Sequence, residues 1–287
     1  MKTIDTLVKD IYSLFDSNID NKIDEKKLEE NLDIFVNGLK EVVTEFFKEK
    51  PAVKRNLRLS SIGRPARQLW YDKNSDKDVI PLEPSTRIKF LYGHILEEVL
   101  LLFTRVAGHT VTDQQKQIDV GGIKGHQDCM IDGVLVDCKS ASGKSFEKFS
   151  KGNLHADDPF GYIAQISAYA EGNNVDTGAF LVINKQNGEI CLTHVHSMEM
   201  INAKERIEYL KGVMDQDNPP DKCYPDVPDG ASGNRKLAVG CVYCPHKHTC
   251  WNDANEGKGL RVFQYAKGYR FLTQVNRTPD VEEIKSW

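Results

Sequence analysis

The sequence predicts an α/β fold: a central mixed β-sheet flanked by helices, with an N-terminal helical extension and a Cys-rich C-terminal tail. Three observations carry this. Apolar spacing changes along the chain between helical and alternating, in the order α, β-hairpin, α, β, α. Asp132-Gly133 stands between two apolar, β-prone runs, a strong two-residue hairpin signal. Three cysteines crowd into Cys241-x2-Cys244-x5-Cys250, which is metal-ligand spacing.

Residues 1–50 read as two helices, LVKDIYSLF and LEENLDIFVNGLKEVVTEFF, each with apolar residues three and four apart. Between them Asp16, Asn18 and Asp20 fall at positions 1, 3 and 5 of a calcium loop. Asn21 stands where that loop wants glycine, and Lys27 where it wants its bidentate Glu, so the segment reads as a polar turn. Residues 57–72, LRLSSIGRPARQLWYD, bring Ser, Gly, Pro, Arg, Trp and Tyr together. A helix is predicted over 84–107, then short strands around 117–140, a polar loop to about 158 and a helix from about 159 to 172. A second strand pair, AFLVINK and EICLTHV, is joined by a turn at Asn187-Gly188, and HSMEMINAKERIEYLKGVM is a further helix. From 217 the chain is rich in Pro, Gly, Asp and Cys. The expected organisation is an extension over 1–56, a core over 57–216 and a Cys-rich, metal-binding tail over 217–287 packed on that core, together one structural domain.

Hydrophobic residues make up 40% and charged residues 28% of the 287, as in soluble globular proteins. The length suffices to bury a core without disulfides. A net charge of −4 argues against a passive coat on nucleic acid, which needs Lys and Arg to neutralise phosphates. It leaves room for an enzyme with carboxylates and a local basic groove. No stretch is long and apolar enough to span a membrane, and MKTIDTLVKDIYSLF has no signal-peptide core. The clustering among the seven cysteines suits a reducing compartment, so a cytoplasmic location is expected.

The hairpin carries the chemistry. With Asp132-Gly133 as its loop, Ile131 faces Val134, Met130 faces Leu135, Cys129 faces Val136 and Asp128 faces Asp137. Side chains alternate along a strand, so both aspartates project on one side with Lys139, and Cys129 and Cys138 on the other. Facing carboxylates repel, and a cation between them would relieve that. Mg²⁺ takes one or two carboxylates and keeps several waters. Such an ion activates water and neutralises charge on a phosphate, and Lys139 is placed to assist. His94 and Glu97 are three apart, and Gln165 and Tyr169 four apart, so each pair shares a helix face.

Asp128 followed by Asp137-Cys138-Lys139 resembles the D…(D/E)-x-K signature of the PD-(D/E)XK nuclease superfamily. Gly93-His94-Ile95-Leu96-Glu97 resembles the helical motif that precedes it in RecB-type exonucleases, and Gln165-Ile166-Ser167-Ala168-Tyr169 resembles their Q-x-x-x-Y motif. The cysteine tail is similar to that of the iron–sulphur members, which include CRISPR-associated and phage-encoded exonucleases. The likeness spans roughly residues 57 to 252, with the motifs in the family's order. It implies a restriction-endonuclease-like core. It also implies that Asp128, Asp137 and His94 bind Mg²⁺ or Mn²⁺, with Glu97 beside them. Lys139 would assist the attacking water, and Gln165 and Tyr169 would position water or the substrate strand.

The thiolates of Cys241, Cys244 and Cys250 suit Zn²⁺ or an iron–sulphur cluster. A four-iron cluster wants four cysteines. In the family the fourth lies upstream, where this chain has Pro65, so Cys223 is the best replacement, with His246 and His248 as alternatives that favour zinc. Cys129, Cys138 and Cys191 read as packing residues. Arg64, Arg67, Lys144, Lys148 and Lys151 are candidate phosphate contacts or ordinary solvated charges. The function implied is a metal-dependent DNA exonuclease of recombination or repair, acting on single-stranded DNA or DNA ends. The alternatives are a structure-specific endonuclease on the same fold and a non-catalytic, metal-bearing module. A homo-oligomer or a recombination partner protein is compatible with each.

Overall fold

The computed structural model describes residues 2–16, 23–48, 56–75, 84–266 and 268–285. The calcium-loop reading at Asn18, Asp20 and Asn21 lies outside them. The described residues of 1–53, 57–63 and 83–209 form one compact unit, and those of 54–56, 64–82 and 210–287 a second.

In the first unit the chain begins with α1 (Leu7–Ser13) and α2 (Glu25–Phe47). The helix α3 (Ala66–Asn74) belongs to the second unit, and α4 (Pro84–Val106) returns to the first. There follow β1 (Val111–Thr112), β2 (Gln117–Val120), β3 (Ile123–His126), β4 (Cys129–Ile131) and β5 (Val134–Ala141). Next come α5 (Gly143–Ser150), α6 (Tyr162–Asn173), β6 (Gly178–Asn184), β7 (Ile190–Val195) and α7 (Ala203–Met214). The polar loop expected up to 158 therefore holds a helix, α5. Its Phe146 and Phe149, three apart, are both buried, and that spacing on one helical face is what the polar composition hides.

The strands β1-β4-β5-β6-β7 form a mixed sheet, the architecture the sequence predicts. β4 and β5 pair antiparallel as a hairpin, β5 and β6 pair parallel, and β6 and β7 pair antiparallel. A parallel pair needs a crossover, and α5 and α6 supply it. One face of the sheet presents Cys129, Ile131, Val136, Cys138 and Leu181 to Leu7 and Ile11 of α1 and Leu100 and Leu101 of α4. On the other face Phe180 meets Phe149 of α5, with ring centroids 5.3 Å apart. Gly178 lies so near α6 that a Cβ there would stand 2.8 Å from Ile166 Cδ1. Helices thus cover both faces. β2 and β3 form a separate hairpin under α6, where Gly172 leaves room for Ile118.

The second unit holds β8 (Val227–Pro228), β9 (Arg235–Lys236), α8 (Val239–Val242), α9 (Lys247–Cys250) and α10 (Ala254–Gly257). It closes with β10 (Arg261–Tyr265), β11 (Gly268–Gln274) and β12 (Glu283–Ile284). These strands make an antiparallel sheet in the order β12-β10-β11-β9-β8, over a core that includes Leu237, Trp251, Val262 and Phe271. The sequence pattern assigns no strands to this tail. Three of its strands are two residues long, too short for alternation to register. The segment 64–82, which the sequence assigns to the core, clusters with this tail. Trp70 Nε1 donates to Gln216 O at 2.8 Å and Asn74 Nδ2 to Met214 O at 2.9 Å. Among the described residues no helix is long and apolar enough to cross a membrane.

Candidate active site and cysteine cavity

Asp132 and Gly133 both have positive φ, 50° and 83°, the backbone of a two-residue type I′ turn. The register follows from it: Ile131 pairs Val134, Met130 pairs Leu135 and Cys129 pairs Val136. Asp137 and Lys139 therefore lie on one face of β5, and Val136 and Cys138 on the other. Asp128 sits just before β4, off the ladder, and its Oδ2 accepts the Cys138 N–H at 2.8 Å. Gln127 fixes that approach: its Oε1 accepts from Asn173 Nδ2 of α6 at 2.6 Å.

Asp137 is 2% exposed. Gln165 Nε2 donates to its Oδ1 at 3.0 Å, and Lys139 forms an ion pair with its Oδ2. Lys139 is the one partner of that Oδ2 among the described residues, so its charge alone offsets it. The Tyr162 ring lies 5.0 Å from Lys139 Nζ. Glu97 approaches from α4, where Gln115 Nε2 donates to its Oε1 at 3.1 Å.

The electrostatics follow from burial. Desolvation, then the charges of Asp128, Asp137 and Glu98, push Glu97 up to about 9. Desolvation, then Asp137, push Asp128 up to about 7 against the pull of Lys139 and the Cys138 N–H. Asp137 is raised by desolvation as well. Burial works to lower Lys139, but the two aspartates outweigh it and hold the ammonium above its usual range. Three carboxylates and one lysine thus share a water-poor neighbourhood in which negative charge is in excess.

Of the sequence-predicted residues, Glu97, Asp128, Asp137, Lys139 and Gln165 come together. Tyr169 is 2% exposed, a core ring whose hydroxyl interacts with Gln165. His94 lies exposed on α4. Lys148 pairs with Asp157 and Lys151 with Glu147, while Lys144 and Arg64 are exposed. Tyr162 and Asp158 are the residues that motif reasoning misses. Tyr162 stands three before Gln165 on α6, a same-face spacing that could have found it. Asp158 Oδ2 caps the same helix by accepting the Ile163 N–H at 2.9 Å.

In the second unit Cys223, Cys241, Cys244 and Cys250 line one cavity, together with Pro65 and Arg67. Arg67 Nε donates to Cys250 Sγ at 3.1 Å, and a second guanidinium nitrogen to Pro220 O. Burial pushes the Cys241 thiol up to about 11 and Cys244 up to about 12, and raises Cys223. His246 also lines the cavity, but its Nε2 meets Asp72 Oδ1 at 2.8 Å. His248 is not part of the lining and packs edge-on to Phe271. Among the described residues no three His, Cys, Asp or Glu side chains stand close enough to share one metal ion, at this cavity or around Asp137.

No family model and no curated protein matches the chain. Among solved structures it is similar to SSO0001, at 16% identity over 74% of this chain and 94% of that one, with a TM-score of 0.41. A phage-related exonuclease from Haemophilus somnus 129PT is 14% identical over 55% of this chain and 90% of its own, with a TM-score of 0.37. An alkaline exonuclease from Laribacter hongkongensis, LHK-Exo, solved with dAMP, is 13% identical over 52% and 79%, with a TM-score of 0.35. At these identities and scores the likeness transfers no function to this chain.

Proposed function

We propose that this chain is a Mg²⁺- or Mn²⁺-dependent deoxyribonuclease of the PD-(D/E)XK type, an exonuclease acting on DNA ends in recombination or repair. The observation that supports it is the meeting of Glu97, Asp128, Asp137, Lys139 and Gln165 around β5, drawn from separate parts of the unit. The donor set fits a hard divalent cation. It is all carboxylate oxygen, and its members repel one another, as the raised Glu97 and Asp128 show. Asp128 and Asp137 would hold the ion with water completing its shell, and Glu97 stands beside them. When bound, it supplies a Lewis acid that makes water nucleophilic near neutral pH and neutralises charge on the phosphate. Lys139, kept ionised by its aspartates, would donate to a phosphate oxygen or hold the attacking water. Gln165 is fixed at one end by Asp137 and braced by Tyr169, so its amide is positioned to orient that water.

The test is cleavage of end-labelled linear and closed circular single-stranded DNA, and of duplex DNA, with Mg²⁺, Mn²⁺ or EDTA. Metal-dependent shortening from an end is expected, with Lys139→Ala slower by about a hundredfold or more and circles left intact. Full activity in Lys139→Ala, or no cleavage with either metal, would overturn the reading. Cutting of circles would replace it with an endonuclease.

For the second unit we propose a structural site for an iron–sulphur cluster or Zn²⁺ on Cys223, Cys241, Cys244 and Cys250, whose side chains would have to turn inward from the cavity wall to share it. Soft thiol donors around one cavity support this, and the pairing of His246 with Asp72 favours Cys223 as the fourth ligand.

A further inference from the structure

We propose that Phe160 is a base-stacking platform that orders an unpaired DNA strand beside Lys139, so that single-stranded DNA is the form in which substrate enters the site. The proposal rests on the nuclease reading above and names the substrate class of that same site.

Phe160 is 52% exposed, and one exposed phenylalanine is ordinary on a protein surface. What sets this one apart is how it is held and what lies behind it. Asp158, Pro159, Phe160 and Gly161 form a turn closed by the Gly161 N–H donating to Asp158 O at 3.2 Å. Proline at the second position stiffens it. The Ile163 N–H, donating to Asp158 Oδ2, ties the turn to α6. Gly161, at φ 73°, is pressed against Gly63, and a Cβ there would lie 2.3 Å from Gly63 Cα. The ring is thus offered to solvent from a backbone clamped on both sides, with little ordering left to be done on binding.

Behind it the rings run in a series from the core. Phe149 meets Phe180, then Tyr162 at 5.8 Å, and Tyr162 meets Phe160 at 5.6 Å with planes 30° apart. Tyr162 is also the ring that lies beside Lys139 Nζ. The outermost ring of the series therefore stands one aromatic side chain away from the lysine proposed to meet the scissile phosphate. A nucleobase on Phe160 would place a neighbouring phosphate of the same strand toward Lys139. Every base has a π-face, so the platform is indifferent to sequence, as an end-digesting enzyme needs. A base inside a duplex has both faces covered and only the end pair offers one, so the platform favours a strand whose bases are all unpaired.

The experiment is equilibrium binding in EDTA, by fluorescence anisotropy. It compares a labelled single-stranded oligodeoxynucleotide with one of equal length built from abasic tetrahydrofuran residues. Phe160→Ala should weaken binding of the base-bearing strand by roughly 5- to 100-fold, Phe160→Trp should restore it, and neither should change binding of the abasic strand. Wild-type affinity in Phe160→Ala, or equal losses on both strands, would overturn the platform. Metal-dependent cleavage by the wild-type protein, run in parallel, separates the two readings. Cleavage with an unaltered Phe160→Ala removes the platform alone, whereas a wild-type protein that neither binds nor cuts removes both.

Discussion

At the scale of the residue, the three carboxylates set the conditions under which the fold is comfortable. Unfolded, Glu97 and Asp128 release protons near 4.5 and 3.8, but folded they hold them to about 9 and about 7. Between those values the folded chain holds protons on these two groups that the unfolded chain releases, so their contribution to stability is greatest in acid and falls as pH rises toward 9. A divalent cation compensates the same charge. Mg²⁺ or Mn²⁺ should therefore raise the melting temperature of the metal-free protein more at about pH 8.5 than at about pH 5, as read by calorimetry. An equal effect at both would mean that the carboxylates do not share the ion. Asp137 and Lys139 are legible in the sequence because an Asp-Gly turn makes their register a matter of counting, whereas Asp128, expected to face Asp137 on the ladder, lies just before β4 and turns its carboxylate to the Cys138 N–H. The choice between Glu97 and Glu98 is not, since neighbours on a helix differ only in what they meet. Glu97 faces Asp128 and Asp137, whereas Glu98 is buried, accepts from Gln114 and presses on Gly38 of α2. Phe160 gives no signal either, because its role depends on a turn clamped by Gly63, a residue far away in the chain.

At the scale of the element, the hairpin loop controls everything the two aspartates do. Gly133 has φ 83°, which a side chain with a Cβ enters only at a penalty. Gly133→Val should destabilise the protein by about 1–2 kcal/mol in urea unfolding. An unchanged midpoint would show that the turn tolerates another geometry. A slip of one residue here would exchange the faces of β5, sending Asp137 to the side of Cys138 and Leu101. Periodicity reveals α4, α6, β6 and β7 because each is long and strongly patterned. It hides α5, whose apolar side is two phenylalanines among Lys, Ser, Gly and Glu.

At the scale of the whole molecule, the chain alternates between two units, and 64–82 joins 210–287 in one of them. The sequence cannot show this, because the ties are single contacts such as His246 with Asp72 rather than a pattern. The cysteine cavity is where those distant segments meet, so its occupancy should affect stability. Cys223→Ala should lose the iron or zinc of the wild-type protein by elemental analysis and melt at a lower temperature, while Cys191→Ala, on β7 and away from the cavity, keeps its metal. Wild-type metal content in Cys223→Ala would exclude it as a ligand.

The parallel pairing of β5 with β6 has a consequence in time. The hairpin joins near neighbours and can close within microseconds, but β6 reaches β5 only after α5 and α6 have been made and folded back. Gln165 arrives with that crossover. A chain still emerging from the ribosome thus carries Asp128 and Asp137 before the amide that holds Asp137 in place.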